Sequence, residues 1–451
     1  MDRPARDRAS WRDDAGRGVT IPAEATSPAE PIGPAEPTTP ASAVPWWVRP
    51  GLDIDTDGRL RIAGADPEAL AREHGTPMFV YDRMRFAEHA RRLQAAFALT
   101  GLPFRLRFAL KANPLPEVLA VFRGLGAPGT PESVGIDACS PGEVLRALEC
   151  GWEPAEISYT GTNLSESDLD VVLAHGIHCN LDALSQIDRY GRRAPGSRIG
   201  IRIDPAAGAG YNEHLEYSGT RPTKFGIGLE RLEDALALAA THRLAIDTIH
   251  FHAGSGWLGD GLAGFQRALP AAVEAIERTR AAGHDVVEVN VGGGLGMPAR
   301  SDEQPIDLDA YAAVVAHHLE RLGVTIAAEP GDHLSKDAAI LLGEVVTVET
   351  RRGVTFVGLD IGWNVNCAYF IYGFAQELVL CRDAAAPRTE RVTVAGHINE
   401  ASDVFAEDYA MPPVREGDMV ALLNAGGYLQ AMSSTHCLRP MGGAVFLDRS
   451  A

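Results

Sequence analysis

Short apolar runs alternate with longer amphipathic stretches through the middle of the chain. The runs combine apolar and β-branched residues between turn residues, which indicates strands. The longer stretches repeat apolar residues three and four positions apart, as one face of a helix does. Repeated strand–helix units over roughly 250 residues predict a (β/α)8 barrel, with an open doubly wound sheet as the alternative. The predicted barrel-region strands are 78–81, 104–110, 157–159, 199–203, 245–251, 287–291 and 324–328, and the clearest helices are 116–122, 229–240 and 264–281.

After about residue 335 the helical pattern thins out, and strand-like runs separated by turns follow one another. This pattern predicts a second, C-terminal and mainly β domain. The segment before the barrel has little helical character, and we expect it to add a strand to that domain. The strands predicted for the second domain are 341–349, 353–359, 391–395, 418–423 and 442–447.

The first 44 residues are rich in Pro, Ala, Glu, Asp and Arg and hold almost no large apolar side chain. Such a segment buries too little apolar surface to offset the entropy lost on ordering, so we expect it to be disordered. The expected organisation is therefore a disordered extension at 1–44, a strand segment at 45–76, the barrel at 77–334 and the β domain at 335–451.

Composition and charge narrow the class of protein. A formal net charge of −19 argues against nucleic acid as a partner, because phosphate binding needs clustered Lys and Arg. There is no uninterrupted apolar run of the roughly 18 residues that a membrane-spanning helix needs and no apolar core of a signal peptide. The six cysteines are scattered without a Cys-x-x-Cys pair, which favours a reducing cytoplasm.

A lysine follows directly on the apolar strand that ends in Phe108-Ala109-Leu110. Lys111 would therefore lie at the carboxyl end of a strand, where barrel active sites are built. Against apolar neighbours we expect the pKa of its ammonium group to be lowered, which frees the amine for Schiff-base chemistry. An ordinary surface lysine at a strand edge is the alternative.

A glycine-rich run, 292–296, follows the predicted strand 287–291. Glycines after a strand allow backbone N–H groups to approach an anion closely, as a phosphate cradle requires. A tight turn explains the same cluster equally well. The spacing is not that of a P-loop.

Two further segments end predicted strands. The first offers the imidazole of His252 and the hydroxyl of Ser255, and the second offers the carboxylate of Glu329 ahead of a proline turn. Each of these side chains could instead be structural. His250, His252 and Glu329 are residue types that ligate metal ions, but we expect no metal site.

In this order, these segments resemble the diaminopimelate/ornithine decarboxylase family, which are pyridoxal-phosphate enzymes of fold type III with an alanine-racemase-like barrel. Diaminopimelate decarboxylase is the most similar subgroup, and the resemblance covers roughly residues 76 to 448. It rests on Phe-Ala-Leu-Lys-Ala-Asn at 108–113, Arg-Ile-Asp-Pro at 202–205, Lys-Phe-Gly-Ile at 224–227, His-Ala-Gly-Ser-Gly at 252–256, Gly-Gly-Gly-Leu-Gly at 292–296, Glu-Pro-Gly at 329–331, Asn-Glu-Ala-Ser-Asp at 399–403 and Ala-Gly-Gly-Tyr at 425–428.

The resemblance implies pyridoxal 5′-phosphate as the cofactor and a homodimer with shared active sites. Lys111 would form the Schiff base, His252 would stack on the cofactor ring, and Glu329 would hydrogen-bond the pyridine nitrogen. The loop 399–403 would reach into the partner's site. The residues that would bind the phosphate or approach the cofactor from the β domain are Ser255, Gly294, Leu295, Gly296 and Tyr428.

The loop departs from the family pattern at a position with a catalytic role. The family reads Cys-Glu-x-x-Asp, and its cysteine protonates the carbanion after CO2 leaves, whereas this chain has Asn399 and keeps Glu400. Asparagine has no proton to give. Lys111, His397, His436 or a bound water are the candidate replacements.

A second departure concerns the substrate. The family's Glu-Pro-Gly-Arg is here Glu-Pro-Gly-Asp, ending in Asp332, and the segment 362–369 also lacks the family's second arginine. Both arginines grip the distal carboxylate of diaminopimelate, and such charge-assisted pairs are strong. We therefore expect a far end that is neutral or cationic, although Arg439 could still contact a carboxylate. The expected substrate-binding residues are Asp332, Glu400, Asp403 and Tyr428.

The sequence thus predicts a cytoplasmic, homodimeric decarboxylase of a diamino acid or a derivative, with Lys111, His252, Glu329, Asn399 and Glu400 as catalytic residues. Diaminopimelate decarboxylase proper, which makes L-lysine, is the first alternative. A non-catalytic pyridoxal-phosphate-binding protein and an inactive or weakly active paralogue are others. A racemase is disfavoured by Glu329, because racemases of this fold place an arginine there.

Overall fold

The computed structural model describes residues 44–213, 215–216, 222–374 and 376–449. The segment 1–44, which we expect to be disordered, lies outside these residues except for Val44. Helix starts follow their capping side chains: Asp82 accepts from the Met84 N–H, and Ser140 from the Glu143 N–H, as N-caps do.

The described residues form 19 strands: Leu52–Ile54 (β1), Leu60–Ile62 (β2), Met78–Asp82 (β3), Phe104–Ala109 (β4), Val134–Ala138 (β5), Ile157–Tyr159 (β6), His178–Leu181 (β7), Arg198–Asp204 (β8), Ile227–Gly228 (β9), Ala245–His250 (β10), Glu288–Asn290 (β11), Thr325–Ala328 (β12), Ala339–Arg351 (β13), Val354–Leu359 (β14), Leu378–Leu380 (β15), Glu390–Ala395 (β16), Val404–Met411 (β17), Met419–Leu422 (β18) and Gly443–Leu447 (β19).

The α-helices of the same residues are Pro67–His74 (α1), Arg83–Ala98 (α2), Pro116–Arg123 (α3), Pro141–Glu149 (α4), Glu166–Ala174 (α5), Leu184–Arg193 (α6), Leu232–His242 (α7), Leu262–Gln266 (α8), Leu269–Ala281 (α9), Leu308–Leu319 (α10), Asp332–Ser335 (α11) and Ala368–Tyr372 (α12).

Eight parallel strands, β4 to β8 and β10 to β12, close into a barrel. The sheet closes because β12 pairs with β4 and β10 pairs with β8. The predicted (β/α)8 barrel is therefore confirmed, and the open sheet is excluded. Alternation along each strand separates two environments: in β8, Ile199, Ile201 and Ile203 join the hydrophobic core, whereas Arg202 lines a cavity at the barrel's end.

The β domain is an eight-stranded sheet in the order β15-β18-β13-β14-β16-β17, with β3 pairing both β13 and β19. In the segment 45–76, which we expect to join the β domain, β1 and β2 form an antiparallel hairpin of their own. Side chains of this segment, such as Trp47 and Leu60, pack on the β domain. The sheet itself also includes β3, which we expected in the barrel segment. All five of its residues are buried, which a place between two neighbouring strands explains.

The predicted helix 264–281 is divided into α8 and α9. Pro270 lies in the first turn of α9, where a missing N–H costs least, and it cannot continue a helix from the preceding turn. Two barrel strands, β5 and β7, were not predicted, because Gly135 and Asn180 interrupt their apolar pattern.

The carboxyl ends of the barrel strands meet the β domain. Tyr428 donates its backbone N–H to the Ala112 carbonyl at 2.8 Å, and the Asn113 amide donates to the Gly426 carbonyl at 2.9 Å. The turn that carries Lys111 is therefore fixed against the second domain. In the part of the chain that the structure describes, no helix combines the length and the apolar character that crossing a bilayer requires.

Candidate active site

A cavity of about 350 Å³ opens at the carboxyl ends of the barrel strands, with Tyr372 and Phe374 of the β domain on its far wall. This is the end at which barrel enzymes carry their sites. Seven of the predicted site residues line it together: Lys111, His252, Ser255, Gly294, Glu329, Asp332 and Tyr428.

Lys111 lies in the single turn of 3-10 helix after β4, with its side chain 44% exposed toward the cavity. Its Nζ is 3.4 Å from Oδ2 of Asp137, at the end of β5. Burial lowers the pKa of the Lys111 ammonium, but the charge of Asp137, with those of Tyr428 and Glu329, outweighs it and leaves the pKa above its usual value. The expectation that the pKa of Lys111 is lowered is therefore wrong for the protein without a bound cofactor.

The carboxyl group of Asp137, the partner of Lys111, has a raised pKa. Burial and the nearby Glu329 raise the pKa of Asp137 to about 7, although Lys111 opposes them. Its second oxygen, Oδ1, is buried and has no hydrogen-bond partner among the described residues. The pair can therefore hold either one or two protons near neutral pH.

Glu329 is held at both oxygens inside the barrel. His250 Nε2 lies 2.8 Å from Oε1, and the Asn290 amide donates to Oε2 at 2.9 Å. Burial raises the pKa of Glu329, but the interaction with His250, aided by Lys111, outweighs this, so the pKa lies well below its usual value. Glu329 is therefore an ionised carboxylate in a buried, fixed position.

His252 is oriented by the two loops around it. The Gly293 N–H donates to Nδ1 at 3.1 Å, so Nε2 carries the proton and faces the Ser255 hydroxyl at 3.3 Å. Burial, followed by the charges of Arg202 and Lys111, holds the pKa of His252 well below its usual value. The ring is therefore a neutral plate beside the cavity.

The loops 252–256 and 292–296 pack backbone against backbone. Gly254 (φ +98°) and Gly294 (φ +96°) adopt backbone angles that favour glycine. A Cβ on Gly294 would collide with the Gly254 carbonyl, and one on Gly296 with the Gly256 carbonyl. The glycines therefore allow the two loops to form one close-packed unit, which we call the cradle. The Gly296 N–H already donates to the Trp257 carbonyl at 2.9 Å, and neither Gly296 nor Leu295 lines the cavity.

The loop 399–403 does not reach the cavity of its own chain. Glu400 is exposed and lies 3.5 Å from His436, which stacks on Trp363. Asp403 is buried within the loop and accepts from the backbone N–H groups of Trp363 and Ile398. The roles expected for Asn399, Glu400 and Asp403 therefore stay predictions that require a second copy of the chain.

Asp332 is not a lone carboxylate. It begins α11, and its Oδ2 lies 3.4 Å from Nζ of Lys336, one helical turn later. Sequence reasoning missed Lys336, although the i,i+4 spacing was its signal, because the four-residue helix between them is too short to predict. It also missed Asp137, Cys139, Arg202 and Lys224 as lining residues of the cavity.

Metal binding receives no support from the arrangement. Residues 44–449, leaving aside those that the structure does not describe, contain no group of three His, Cys, Asp or Glu side chains placed to hold an ion. His250 is occupied with Glu329, and His252 with the cradle.

Comparisons with known proteins agree with this geometry. Residues 83–336 match the pyridoxal binding domain of the pyridoxal-dependent decarboxylases. The chain is 36% identical over 407 residues to the diaminopimelate decarboxylase of Methanothermobacter thermautotrophicus, covering 87% of this chain and 91% of that protein. It is 32% identical over 400 residues to the diaminopimelate decarboxylase of Streptomyces coelicolor, covering 84% and 86%.

A solved structure extends the likeness to three dimensions. Diaminopimelate decarboxylase from Helicobacter pylori complexed with L-lysine superposes with a TM-score of 0.76 at 26% identity, covering 85% of this chain and 94% of that one.

The residues present fit pyridoxal phosphate. A lysine amine, an ionised carboxylate, a neutral imidazole plate and a glycine cradle beside a serine hydroxyl all border one cavity. Arg202 and Lys224 add positive charge to its wall, which suits a cofactor that carries a phosphate dianion.

Proposed function

Since this chain belongs to the pyridoxal-dependent decarboxylases and is an amino-acid decarboxylase that uses pyridoxal phosphate, we propose that its substrate is a diamino acid or a derivative without a carboxylate at its far end. The ionised Glu329, held by His250 and Asn290, carries the chemical part of the proposal. The replacement of the family's arginine by Asp332 carries the substrate part.

Each role in the site follows from the side chain's own chemistry. When bound, pyridoxal phosphate supplies an electron sink for the electron pair left on the α-carbon as CO2 departs. Lys111 would hold it through Nζ, and Asp137 Oδ2, 3.4 Å away, can accept the ammonium proton that must leave first. Glu329 would keep the pyridine nitrogen protonated, because an adjacent carboxylate favours the charged ring.

The α-carbon must then gain a proton, and Asn399 cannot give one. Several groups on the cavity wall carry protons at neutral pH, and two of them lie just after β4 and β5. One is the Lys111 ammonium group, and the other is the thiol of Cys139, whose pKa burial raises to about 12. We propose that a donor inside the cavity, with Lys111 as the first candidate, replaces the loop cysteine of the family.

Product analysis tests the proposal. Cofactor-loaded protein is incubated in deuterium oxide with L, D and meso forms of diaminopimelate, lysine, ornithine, arginine and diaminobutyrate, and products are identified by mass spectrometry. We expect a product lighter by CO2 that carries one deuterium on carbon. Lys111→Ala should abolish it, whereas Arg92→Ala, which removes an exposed cation paired with Asp309 away from the cavity, should retain turnover.

The outcomes separate the parts of the proposal. Turnover mainly of meso-diaminopimelate would overturn the substrate argument and would make the chain a diaminopimelate decarboxylase proper. Cofactor attached to Lys111, detected by mass after borohydride reduction, without any CO2-derived product would instead favour a protein that binds pyridoxal phosphate without turnover.

We also propose that the functional unit is a cytoplasmic homodimer in which loop 399–403 completes the partner's cavity. Beside this loop the chain exposes apolar side chains, with Leu438 92% and Met441 46% exposed. Arg439, between them, donates to the His397 carbonyl and so ties this patch to the loop. All six cysteines are free, in keeping with a reducing compartment.

Mixing two inactive variants tests the shared site. Lys111→Ala and Glu400→Ala proteins should each be inactive, and mixing under conditions that exchange subunits should restore turnover in sites with both residues intact. A Lys111→Ala and Lys111→Arg mixture is the control that should stay inactive. No recovery in an exchanged dimer would contradict the shared site.

A further inference from the structure

A buried ion pair lies at the far wall of the cavity. Asp332 lines the main cavity, and Lys336 sits behind it with its Nζ 3.4 Å from Oδ2. The Lys336 side chain is 6% exposed and that of Asp332 is 11% exposed. Solvent therefore screens this pair only weakly, and its charges act mainly on each other and on whatever enters the cavity.

Lys336 is also enclosed on its other side. Its Nζ lies 3.3 Å from the centre of the Phe374 ring, a cation–π contact. A small annex of about 10 Å³ adjoins the pair, bordered by Lys336 and Gln376, and the Gln376 Oε1 is buried without a hydrogen-bond partner in the described residues. Asp332 and Phe374, which line both the main cavity and the annex, thus lie between the ammonium group and the main cavity.

This geometry penalises both signs of charge at the substrate's far end. A carboxylate entering the main cavity would first meet Asp332 and would be repelled. An ammonium group would meet a carboxylate that is already neutralised, with the charge of Lys336 close behind it. An uncharged group that donates a hydrogen bond avoids both costs, since it can bind an oxygen of Asp332 without disturbing the pair.

We propose that the Asp332–Lys336 pair selects a substrate whose far end is uncharged. The preferred substrate is then an amino acid that ends in an amide or a similar uncharged hydrogen-bonding group. This narrows the proposed function, on which it rests, from a neutral or cationic far end to a neutral one. Asp332 and Lys336 act as specificity-determining residues, and neither takes part in the loss of CO2.

Matched substrates test the proposal on the cofactor-loaded enzyme. Lysine, Nε-acetyl-lysine and 2-aminopimelate present a cationic, a neutral and an anionic far end at similar length, as do ornithine, citrulline and 2-aminoadipate. We expect kcat/KM for CO2 release to be highest for the neutral member of each set, by about tenfold, the ratio that roughly 1.4 kcal/mol gives. A clear preference of the wild-type enzyme for either charged member would overturn the proposal.

Two single variants should shift this preference in opposite directions. Lys336→Met leaves Asp332 uncompensated and should move the preference toward lysine and ornithine. Asp332→Asn leaves Lys336 uncompensated and should move it toward 2-aminopimelate and 2-aminoadipate. The double variant, Asp332→Asn with Lys336→Met, is neutral again and should return the preference to the amides.

A purely structural role would lower kcat/KM for every substrate by the same factor, and that result would contradict the proposal. If a single variant fails to fold, as judged by its Tm and cofactor loading, the double variant and the wild-type panel still decide the matter. If the wild-type enzyme releases no CO2 from any compound, that result contradicts the proposed decarboxylation but does not by itself test the role of the ion pair. Ligand-induced shifts in Tm then rank the same compounds, and any ranking that does not favour the neutral ones overturns the pair's role.

Discussion

Two neighbouring side chains, those of His250 and Asn290, hold the carboxylate of Glu329 in place. A carboxylate buried inside a barrel would normally hold its proton, because burial disfavours the charged form. Here the His250 and Asn290 side chains each donate to one oxygen, and the pKa of Glu329 falls instead of rising. His250 is itself fully buried, and its Nδ1 has no hydrogen-bond partner among the described residues. We therefore expect His250 to be a positioning residue that acts through Glu329.

Replacing His250 by Phe should raise the pKa of Glu329, because the carboxylate loses its main stabilising donor. A carboxylate with a raised pKa is protonated at higher pH, so the acid limb of the kcat/KM profile should move upward by about one pH unit, equivalent to about 1.4 kcal/mol. Cofactor affinity, measured by titration, should fall in parallel.

His178→Phe is the matched control for that experiment. It removes a similar imidazole–carboxylate pair, His178 with Asp247 at 2.7 Å, from the start of β7 rather than from the cavity. It should lower the Tm while leaving the acid limb in place. An acid limb that does not move in His250→Phe would contradict the positioning role.

At the scale of elements, the shape of the site depends on how closely the loops 252–256 and 292–296 pack against each other. Gly254 and Gly294, one in each loop, both have positive φ angles, +98° and +96°. A side chain on Gly294 would collide with the Gly254 carbonyl, and one on Gly254 would collide with the Ala209 carbonyl. The cradle therefore depends on two separate segments, neither of which can change alone.

Gly294→Ala should weaken cofactor binding and lower the Tm, because it adds a collision with Gly254 to the strain of a positive φ. Gly283→Ala is the control, since Gly283 has φ +93° with open space around its Cβ position. The control should cost only the strain, about 1 kcal/mol. Equal losses of cofactor affinity in both variants would show that strain alone, and not the cradle, matters.

The sequence predicts elements best where the pattern is uninterrupted. The helix predicted at 116–122 is α3, and the strand predicted before Lys111 is β4, because both have regular apolar spacing. β5 escaped prediction because its short stretch mixes Gly135 and Asp137 with apolar residues, yet it supplies the carboxylate beside Lys111. Interior-facing polar residues both weaken the strand pattern and build the site.

The site is predictable from sequence to the same extent. Lys111, His252 and Glu329 stand in distinctive motifs at strand ends, and the cavity brings them together. Lys336 could not be paired with Asp332 from sequence, because the turn that joins them follows from the packing of α11. The loop 399–403 lies away from the cavity of its own chain, and its predicted role requires a second copy of the chain.

At the scale of the whole molecule, one buried carboxylate ties distant segments together. Asp337, just after α11, contacts Arg49 from the segment before the barrel, and Arg85 and His89 from α2. Burial raises the pKa of Asp337, but these partners, led by His89, hold it well below its usual value. The carboxylate therefore stabilises the joint between the amino-terminal segment, the barrel and α11.

Asp337→Ala should lower the free energy of unfolding by about 3–5 kcal/mol, because it leaves buried cations without a partner. Asp309→Ala, which removes the exposed pair with Arg92, should cost less than about 1 kcal/mol. Denaturant titration of both variants measures the difference. A loss below 1 kcal/mol for Asp337→Ala would show that the joint does not depend on this carboxylate.

The molecule should also lose stability in acid through His333, which is buried beside His89. Burial, with the charge of His89, lowers the pKa of His333 from 6.5 to about 3. Between these values the unfolded chain binds the proton and the folded chain does not, so stability falls as pH falls from 6.5 toward 3. The expected slope from this group is about 1.4 kcal/mol per pH unit.

Urea titrations between pH 7 and pH 4 should therefore show a shallower loss of stability in His333→Phe than in the wild-type protein. His175→Phe, at the exposed end of α5, should leave the slope unchanged. Identical slopes in His333→Phe and wild type would contradict the assignment.

The strand β3 precedes the barrel in the chain but belongs to the sheet that follows it. A ribosome releases residues in order, so β3 emerges well before β13, its antiparallel neighbour. Throughout synthesis of the barrel, the apolar residues of β3 have no sheet to enter, and an unpaired apolar strand is prone to aggregate. Chaperones that bind nascent chains should therefore recognise Met78–Asp82 until Ala339 has left the exit tunnel, and translation that stalls inside the barrel should leave this strand exposed.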